Sequence, residues 1–341
     1  MKALVTGGAG FLGSRIVRLL LDRGVDVTVC SRHATKHEAQ SARHEVQDVD
    51  ICDAAAVSRA VQGHDAVIHC AAKAGAWGPR REFFDINVGG TRNILAACHE
   101  HGIKNLVHTS TPSVVFARGL AGGADESAPI PARHLAHYPR TKALAEREVL
   151  AANGINGLRT CALRPHLVLG AGDPHLLPRV IAMARAGRLK QVGDGTNRVD
   201  VTHVEDAARA HLDALDHMKA AAGRAYFIHS ETVALWPYIG RVLERAGLPQ
   251  IERCVGIRTA YFAGALLEAA WRVLRLRGEP PMTRFVACNL AWPHWFDISA
   301  ARRDLSYEAR RTAQGALDEF FGLEEHISRR DAEARRETAS V

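Results

Sequence analysis

Tyr138 and Lys142 stand four residues apart in Tyr138-Pro139-Arg140-Thr141-Lys142, which puts both side chains on one face of a helix. The segment reads as a helix entered at Tyr138 and running through Leu150, with Pro139 in the first turn, where its missing N–H costs nothing. A free phenol titrates near about 10 and is a poor acid or base at neutral pH. The ammonium of Lys142 is expected to favour the phenolate and draw Tyr138 toward working pH. Such a pair suits hydride transfer at a carbonyl: Tyr138 protonates the oxygen while a nicotinamide supplies hydride, and Lys142 holds the nicotinamide ribose hydroxyls. A hydroxyl from Thr109-Ser110-Thr111-Pro112-Ser113 would orient the carbonyl, although the same run also reads as a polar strand end capping a turn. Tyr-x-x-x-Lys alone is a common accident of helices, and it gains meaning only beside a dinucleotide site.

The start of the chain supplies one. Ala3 to Val5 reads as a buried strand that breaks into Thr6-Gly7-Gly8-Ala9-Gly10-Phe11-Leu12-Gly13. An amphipathic helix then carries Leu12, Ile16, Leu19 and Leu20 on one face. Gly7, Gly10 and Gly13 suit a tight turn, close approach of a pyrophosphate and close helix–strand packing, and the helix N-terminus at Phe11 and Leu12 would face the diphosphate. A glycine-rich turn at a domain edge is the plainer reading; the strand–loop–helix setting favours the dinucleotide. A second strand, Val25 to Cys30, ends in Ser31-Arg32 rather than in an acid, and Asp26 lies too early to serve as one. Arginine there favours NADP(H) over NAD(H), unless Arg32 is simply a solvent-exposed loop residue.

Further strands are expected at Val46 to Asp53, Ala66 to His69 and Asn105 to His108, with helices over Ala54 to Val61 (N-cap Asp53) and Phe84 to Ala97. Asp50, with Ile51, would lie by the adenine. The small residues of Ala71-Ala72-Lys73 let diphosphate and ribose pass close to the backbone. Alternating strands and helices predict an α/β, doubly wound parallel sheet whose ligands sit at the strands' C-terminal ends. The stretch from Ala117 to Ala136 reads as a loop.

The second half reads differently. Helices are expected at His175 to Ala186, Leu235 to Ala246, Tyr261 to Leu276 and Thr283 to Trp292, with little of the alternation of another sheet. They would form a smaller, mostly helical substrate lobe. Trp236, Tyr261, Phe262, Trp271, Phe285, Trp292 and Trp295 gather there, either as the lobe's core or as the wall of an apolar channel. The helix from Tyr261 to Leu276 ends in Arg272, Arg275 and Arg277 and could lie on a lipid or partner surface.

The formal net charge of +7 is spread along 341 residues, and its one cluster (Arg329, Arg330, Arg335, Arg336) is interleaved with acids. A solvated face therefore explains the surplus better than nucleic-acid binding. Seven scattered cysteines show no metal-ligand spacing and suit free thiols in a reducing, cytoplasmic setting, and the eighteen histidines form no ligand motif, so no metal is expected. The opening strand leaves no room for a signal peptide.

The glycine turn, Asn87, the Thr/Ser run and Tyr138-Pro139-Arg140-Thr141-Lys142 together resemble the extended short-chain dehydrogenases/reductases over about residues 1 to 325. The resemblance implies a catalytic hydroxyl at Thr111, three residues before Val114, with Ser110 and Ser113 as alternates. It makes Leu163-Arg164-Pro165-His166 the turn in which Pro165 flanks the nicotinamide, and Asp206 part of a late Val-x-Asp-x-Ala signature. Ala71 to Gly78, Thr109 to Val114, Gly278 to Phe285 and Pro293-His294-Trp295-Phe296 are similar to the 2-alkyl-3-oxoalkanoate reductases of bacterial olefin and β-lactone biosynthesis, near the 3β-hydroxysteroid dehydrogenase branch. That likeness implies NADPH-dependent reduction of a long, apolar β-keto acid and a homodimer through the two longest sheet-flanking helices, while peripheral contact with a membrane or pathway enzyme is expected from the helix over Tyr261 to Leu276. A nucleotide-sugar epimerase or dehydratase is the rival enzyme on this scaffold, and a non-catalytic dinucleotide sensor the rival of another class. The expected layout is a Rossmann domain over 1–165 completed by parts of 190–230, a substrate lobe over 166–325 and a flexible tail over 326–341.

Overall fold

The apolar runs of the first half are too short for stable helices and are bounded by glycine turns, so they pair as strands. The computed structural model describes residues 1–32, 42–120 and 122–324. In chain order the first half holds β1 (Lys2–Thr6), α1 (Phe11–Asp22), β2 (Asp26–Ser31), β3 (His44–Asp48), α2 (Ala54–Val61), β4 (Ala66–His69), α3 (Arg80–Phe84), α4 (Gly90–Glu100), β5 (Asn105–Thr109), α5 (His137–Ala151) and β6 (Arg159–Pro165). Then follow β7 (Val168–Leu169), α6 (Leu176–Arg185), β8 (Gln191–Val192), β9 (Arg198–His203), α7 (Val204–Asp216), α8 (Met218–Ala221), β10 (Ala225–Ile228), β11 (Glu231–Ala234), α9 (Leu235–Arg245), β12 (Cys254–Val255), α10 (Ile257–Val273), α11 (Arg284–Ala291) and α12 (Ser299–Leu305). A last helix, α13, spans 313–324.

Seven strands form one parallel sheet in the order β10-β6-β5-β4-β1-β2-β3, the doubly wound arrangement expected. The order reverses between β1 and β4, and the crevice beyond their carboxyl ends is where such sheets take ligands. One face is covered by α1 and α7, with Ile16, Val17, Leu20, Leu212 and Leu215 in the core. The other is covered by α2 and α4, with Val57, Val61, Ile94 and Leu95.

β3 stops at Asp48, short of the expected Asp53, because turn chemistry intervenes. The Asp50 carboxylate accepts from Cys52 N at 2.9 Å and its carbonyl from Asp53 N at 2.9 Å. Asp53 then caps α2, accepting from Ala55 N and Ala56 N at 3.0 Å each. α3 and α4 are one run joined by a π turn over Asp85–Gly89, a feature that clusters at functional sites.

The second half is mostly helical, as expected, and also holds short strands that its sequence does not announce. β7, β9 and β11 form one small sheet, and β8 and β12 another. β9 escapes the alternation test because both of its faces are buried: Asp200 and Thr202 are as enclosed as Val199 and Val201. Asp200 is satisfied there by the Thr232 hydroxyl at 2.6 Å and Phe296 N at 2.8 Å. The chain also recrosses residue 165, since α7, β10 and α12 all pack on the main sheet. The tail 326–341, with Arg329, Arg330, Arg335 and Arg336, lies outside the described residues. Among the described residues no helix is long and apolar enough to cross a membrane.

A buried ion pair fixes α5 to the sheet. Glu146 is 1% and Arg164 4% exposed. Their carboxylate and guanidinium meet at 2.6 and 2.9 Å, and Ser110 Oγ donates to the same carboxylate at 2.6 Å. Glu146→Ala would strand the Arg164 charge and the Ser110 hydroxyl, an expected cost of about 3–5 kcal/mol. Urea unfolding measures it, and a loss under about 1 kcal/mol would mean that the pair does not anchor the helix.

Candidate active site

The glycine turn is built as its spacing requires. Gly7 has φ +68°, open to glycine and strained for other residues, and a Cβ there would meet Ala71 N at 2.9 Å. A Cβ on Gly13 would come within 2.1 Å of the Gly7 carbonyl oxygen, so only glycine lets α1 start this close to β1. Gly10, the N-cap, provides no side-chain acceptor, and the first turn of α1, which includes Phe11, Leu12 and Gly13, carries no acid. That leaves N–H groups and a positive helix end for an anion. Arg32 is exposed at the end of β2, where its guanidinium is near enough to Cys52 to oppose the burial that pushes that thiol up to about 11. Ser31 spends its hydroxyl on the Arg32 carbonyl. The turn, the helix end and the arginine together fit a dinucleotide.

The remaining cofactor-side residues form the floor. Ala71 N donates to the Thr6 hydroxyl at 3.3 Å, tying the end of β4 to β1. Lys73 is held through its backbone: its N–H donates to Asn87 Oδ1 at 2.7 Å, and Asn87 Nδ2 donates back to its carbonyl at 3.0 Å. Its ammonium pairs with Glu82 at 2.7 Å. Ala72 and Asp50 are exposed, whereas Ile51 is buried and packs on Gly90. Pro165 ends β6, buried beside Ile228.

On α5, Tyr138 is half-buried, with the Thr111 hydroxyl near enough to act on its phenol. Burial raises the phenol above its usual 10, and Thr111 works the other way. Lys142 is not among the groups that shift it, which corrects the expectation of a phenol lowered by the ammonium. The reason is geometric: Lys142 Nζ donates to the Thr109 carbonyl at 2.6 Å and to His108 Nε2 at 3.1 Å. Burial brings Lys142 down to about 8, against the opposing charges of Glu146 and Cys70. Of the alternates to Thr111, Ser110 is committed to Glu146, while Ser113 sits 3.3 Å from Thr111 Oγ1.

Three buried histidines around Lys142 were not anticipated. His69 ends β4 and is in register with His108, the last residue but one of β5, their rings 5.2 Å apart. Two apolar strands with histidine near their ends at matched positions were the available signal. Hydrogen bonds assign their protons. Thr91 donates to the Asn87 carbonyl at 2.7 Å, so its oxygen accepts from His69 Nε2 at 3.1 Å, and His69 Nδ1 accepts from Thr6 at 2.7 Å. His211 Nδ1 donates to the Ala207 carbonyl at 2.7 Å, leaving Nε2 to accept from Thr109 at 2.8 Å. All three are neutral. Burial, then the Lys142 charge, takes His69 to about 3 and His108 well below its usual range, and burial takes His211 to about 4.

Five residues past Thr111 in the chain, Phe116 anchors an aromatic wall. Phe116 meets Phe285, Trp292 and His294 at ring separations of 6.2, 5.9 and 5.5 Å. His294 Nε2 donates to the Asn289 carbonyl at 2.8 Å, so its Nδ1 accepts from His166 Nε2 at 2.5 Å. Of the other aromatics, Trp236 is core, Trp295 packs on Gly122 and Gly123, and Phe262 is in solvent, neither core nor wall. Asp206 serves as a bracket: buried, it accepts from Ser230, Arg310 N and Arg311 N and pairs with Arg209.

The neutral histidines make the fold acid-labile. Below about pH 6.5 the unfolded chain protonates each imidazole, while the folded chain keeps His69 neutral to about 3, His211 to about 4 and His108 well below its usual range. Stability is therefore full above about pH 6.5 and falls by roughly 1.4 kcal/mol per pH unit per histidine as pH drops below it. Urea midpoints should fall steeply between pH 7.5 and 5.5; equal midpoints would mean that these rings are charged in the fold.

The chain is matched over residues 4–255 by the 3-beta hydroxysteroid dehydrogenase/isomerase family. It is similar to a 2-alkyl-3-oxoalkanoate reductase of Stenotrophomonas maltophilia, 46% identical over 90% of this chain and 94% of that one. A second protein of that name, from Shewanella oneidensis, is 43% identical over 90% and 82%. Among solved structures, a UDP-glucuronic acid 4-epimerase of Bacillus cereus in complex with NAD shares the fold at TM-score 0.74, with 23% identity over 96% of this chain and 99% of that one.

Proposed function

The chain belongs to the 3-beta hydroxysteroid dehydrogenase/isomerase family, oxidoreductases of the extended short-chain type, and from that premise we propose that it reduces the 3-keto group of a 2-alkyl-3-oxoalkanoate with NADPH. One observation carries the reading: the Tyr138 phenol is kept protonated by burial, with the Thr111 hydroxyl acting on it and Lys142 one helical turn away. A carbonyl oxygen placed between these two hydroxyls would accept from both. Thr111 orients it, and Tyr138, kept protonated by burial, delivers the proton as negative charge develops on the oxygen. A bound nicotinamide supplies the hydride. Lys142 would hold the nicotinamide ribose hydroxyls and, near pH 8, can return a proton toward the phenol. Gly7, Gly10, Phe11, Leu12 and Gly13 would hold the diphosphate, Ala71, Ala72 and Lys73 the ribose side, Asp50 and Ile51 the adenine, Ser31 and Arg32 the 2′-phosphate, and Pro165 the nicotinamide face.

The apolar wall supports a long alkyl chain over the polar sugar of an epimerase substrate, and the Tyr138–Lys142 pair is more than a non-catalytic sensor needs. The family's own description keeps a hydroxysteroid as the second reading. NADPH consumption across 3-keto acids of graded length and 3-ketosteroids separates them: turnover rising with chain length supports the acid, and turnover with steroids alone would overturn it.

Tyr138→Phe should lower kcat by about 100- to 10,000-fold, the span of general acid catalysis, and leave NADPH affinity nearly unchanged. Loss of NADPH binding in fluorescence titration would make Tyr138 structural. Arg32→Asp should reverse the NADP/NAD preference, and an unchanged ratio of kcat/KM values would take Arg32 away from the phosphate.

A further inference from the structure

Helix α10 is built inside out. Toward the protein it turns Ala260, Gly264 and Glu268. A Cβ on Gly264 would lie 2.7 Å from the Thr283 carbonyl carbon, so the head of α11 rests on the α10 backbone. Glu268 is buried and takes hydrogen bonds from Arg284 N, Nε and Nη2 at 2.8, 3.0 and 2.7 Å. The opposite side carries Phe262, Leu266, Ala269 and Val273 at i, i+4, i+7 and i+11, a single stripe. Phe262, Leu266 and Val273 are 66%, 73% and 79% exposed, and Leu274 and Leu276 extend the patch past the helix end. The other large apolar side chains left in solvent among the described residues, Met1, Ile155 and Leu176, are scattered. An ordinary surface helix turns such residues inward, so this concentration marks a contact.

The charges around the stripe have one sign. Arg258, Arg272, Arg275 and Arg277 are exposed, while Glu268, the one carboxylate on α10, is buried and engaged. Arg272 lies 5.0 Å from the Trp77 ring. Arg80 and Arg140 flank Phe84 at 5.0 and 5.5 Å. After burial, the charges of Arg272, Arg80 and Arg140 hold the His137 imidazole below its usual value, so the positive field reaches the start of α5. Glu279, just beyond the patch, is paired with Arg179 at 2.9 Å.

We propose that this stripe and its arginine rim dock on the surface of an anionic lipid bilayer, with α10 parallel to the membrane plane. Phe262, Leu266 and Val273 enter the acyl boundary and the guanidiniums lie among lipid phosphates. A second copy of this chain is the poorer occupant, because its patch would bring the same positive rim against this one. Docking this face sets Trp77, and the loop that carries Ala71 to Lys73, beside the bilayer, where apolar molecules partition.

The test uses the full chain with phosphatidylcholine vesicles, with and without phosphatidylglycerol, at low and high salt. Co-sedimentation should appear with the anionic vesicles at low salt and fall at least about tenfold without phosphatidylglycerol or at high salt. Phe262→Ser with Leu266→Ser, and separately Arg275→Glu with Arg277→Glu, should each lose binding about tenfold while the thermal melt stays put. Absence of binding to either vesicle, or binding that neither pair alters, overturns the proposal. So does a serine pair that lowers the melt or turns a dimer into a monomer, since the stripe would then be covered by this chain or by its copy.

Discussion

The site depends on one helix burying its polar face. Successive turns of α5 present Tyr138, Thr141, Lys142 and Glu146 inward, each toward a different neighbouring element. Thr141 accepts from Asn87 at 3.0 Å, Lys142 is held by Thr109 and His108, and Glu146 is clamped by Arg164 and Ser110. Polar groups removed from water are costly unless bonded, so the helix cannot rotate or slide without breaking several such bonds at once. Rigidity near Tyr138 is thus a by-product of satisfying its neighbours. The phenol is left facing Thr111, where a substrate oxygen could be received.

The same reasoning explains the imidazoles. A lysine in an apolar cavity would lose its proton altogether, and in a carboxylate-lined one would keep it far into alkali. Here the ammonium is buried against the Thr109 carbonyl and the neutral His108, with His69 close by, while Glu146 and Cys70 supply the opposing charges. Burial pulls Lys142 down and those charges pull it back, so it settles near 8, close to working pH. Carboxylates at positions 69 and 108 would hold the proton too tightly for it to be passed on.

Much of this was legible from residue types. The parallel order follows from the alternation of short strands with helices, and the glycine turn and the Tyr138–Lys142 face follow from spacing. What could not be read had physical causes. β9 hides because Asp200 and Thr202 are buried by partners far along the chain, so its polar positions do not mark a wet face. The direction of the Tyr138 shift depends on where the Lys142 ammonium points, and that is fixed by the Thr109 carbonyl, which no side-chain pattern reveals. The histidine cluster is split among β4, β5 and α7 and exists only once register brings them together.

The segment from α10 to Phe296 has two duties, and they constrain each other. Phe285, Trp292 and His294 reach Phe116 only if α11 sits where it does, and α11 is seated by Gly264 and by the Glu268–Arg284 pair. Rolling α10 to hide Phe262 and Leu266 would put bulky side chains where only glycine admits the α11 backbone. It would also pull Glu268 off Arg284, leaving buried groups without partners. The apolar stripe is therefore not a packing fault that a small rotation could relieve. Its exposure is the geometric consequence of building the aromatic wall, and any surface that covers it lies outside the wall it supports.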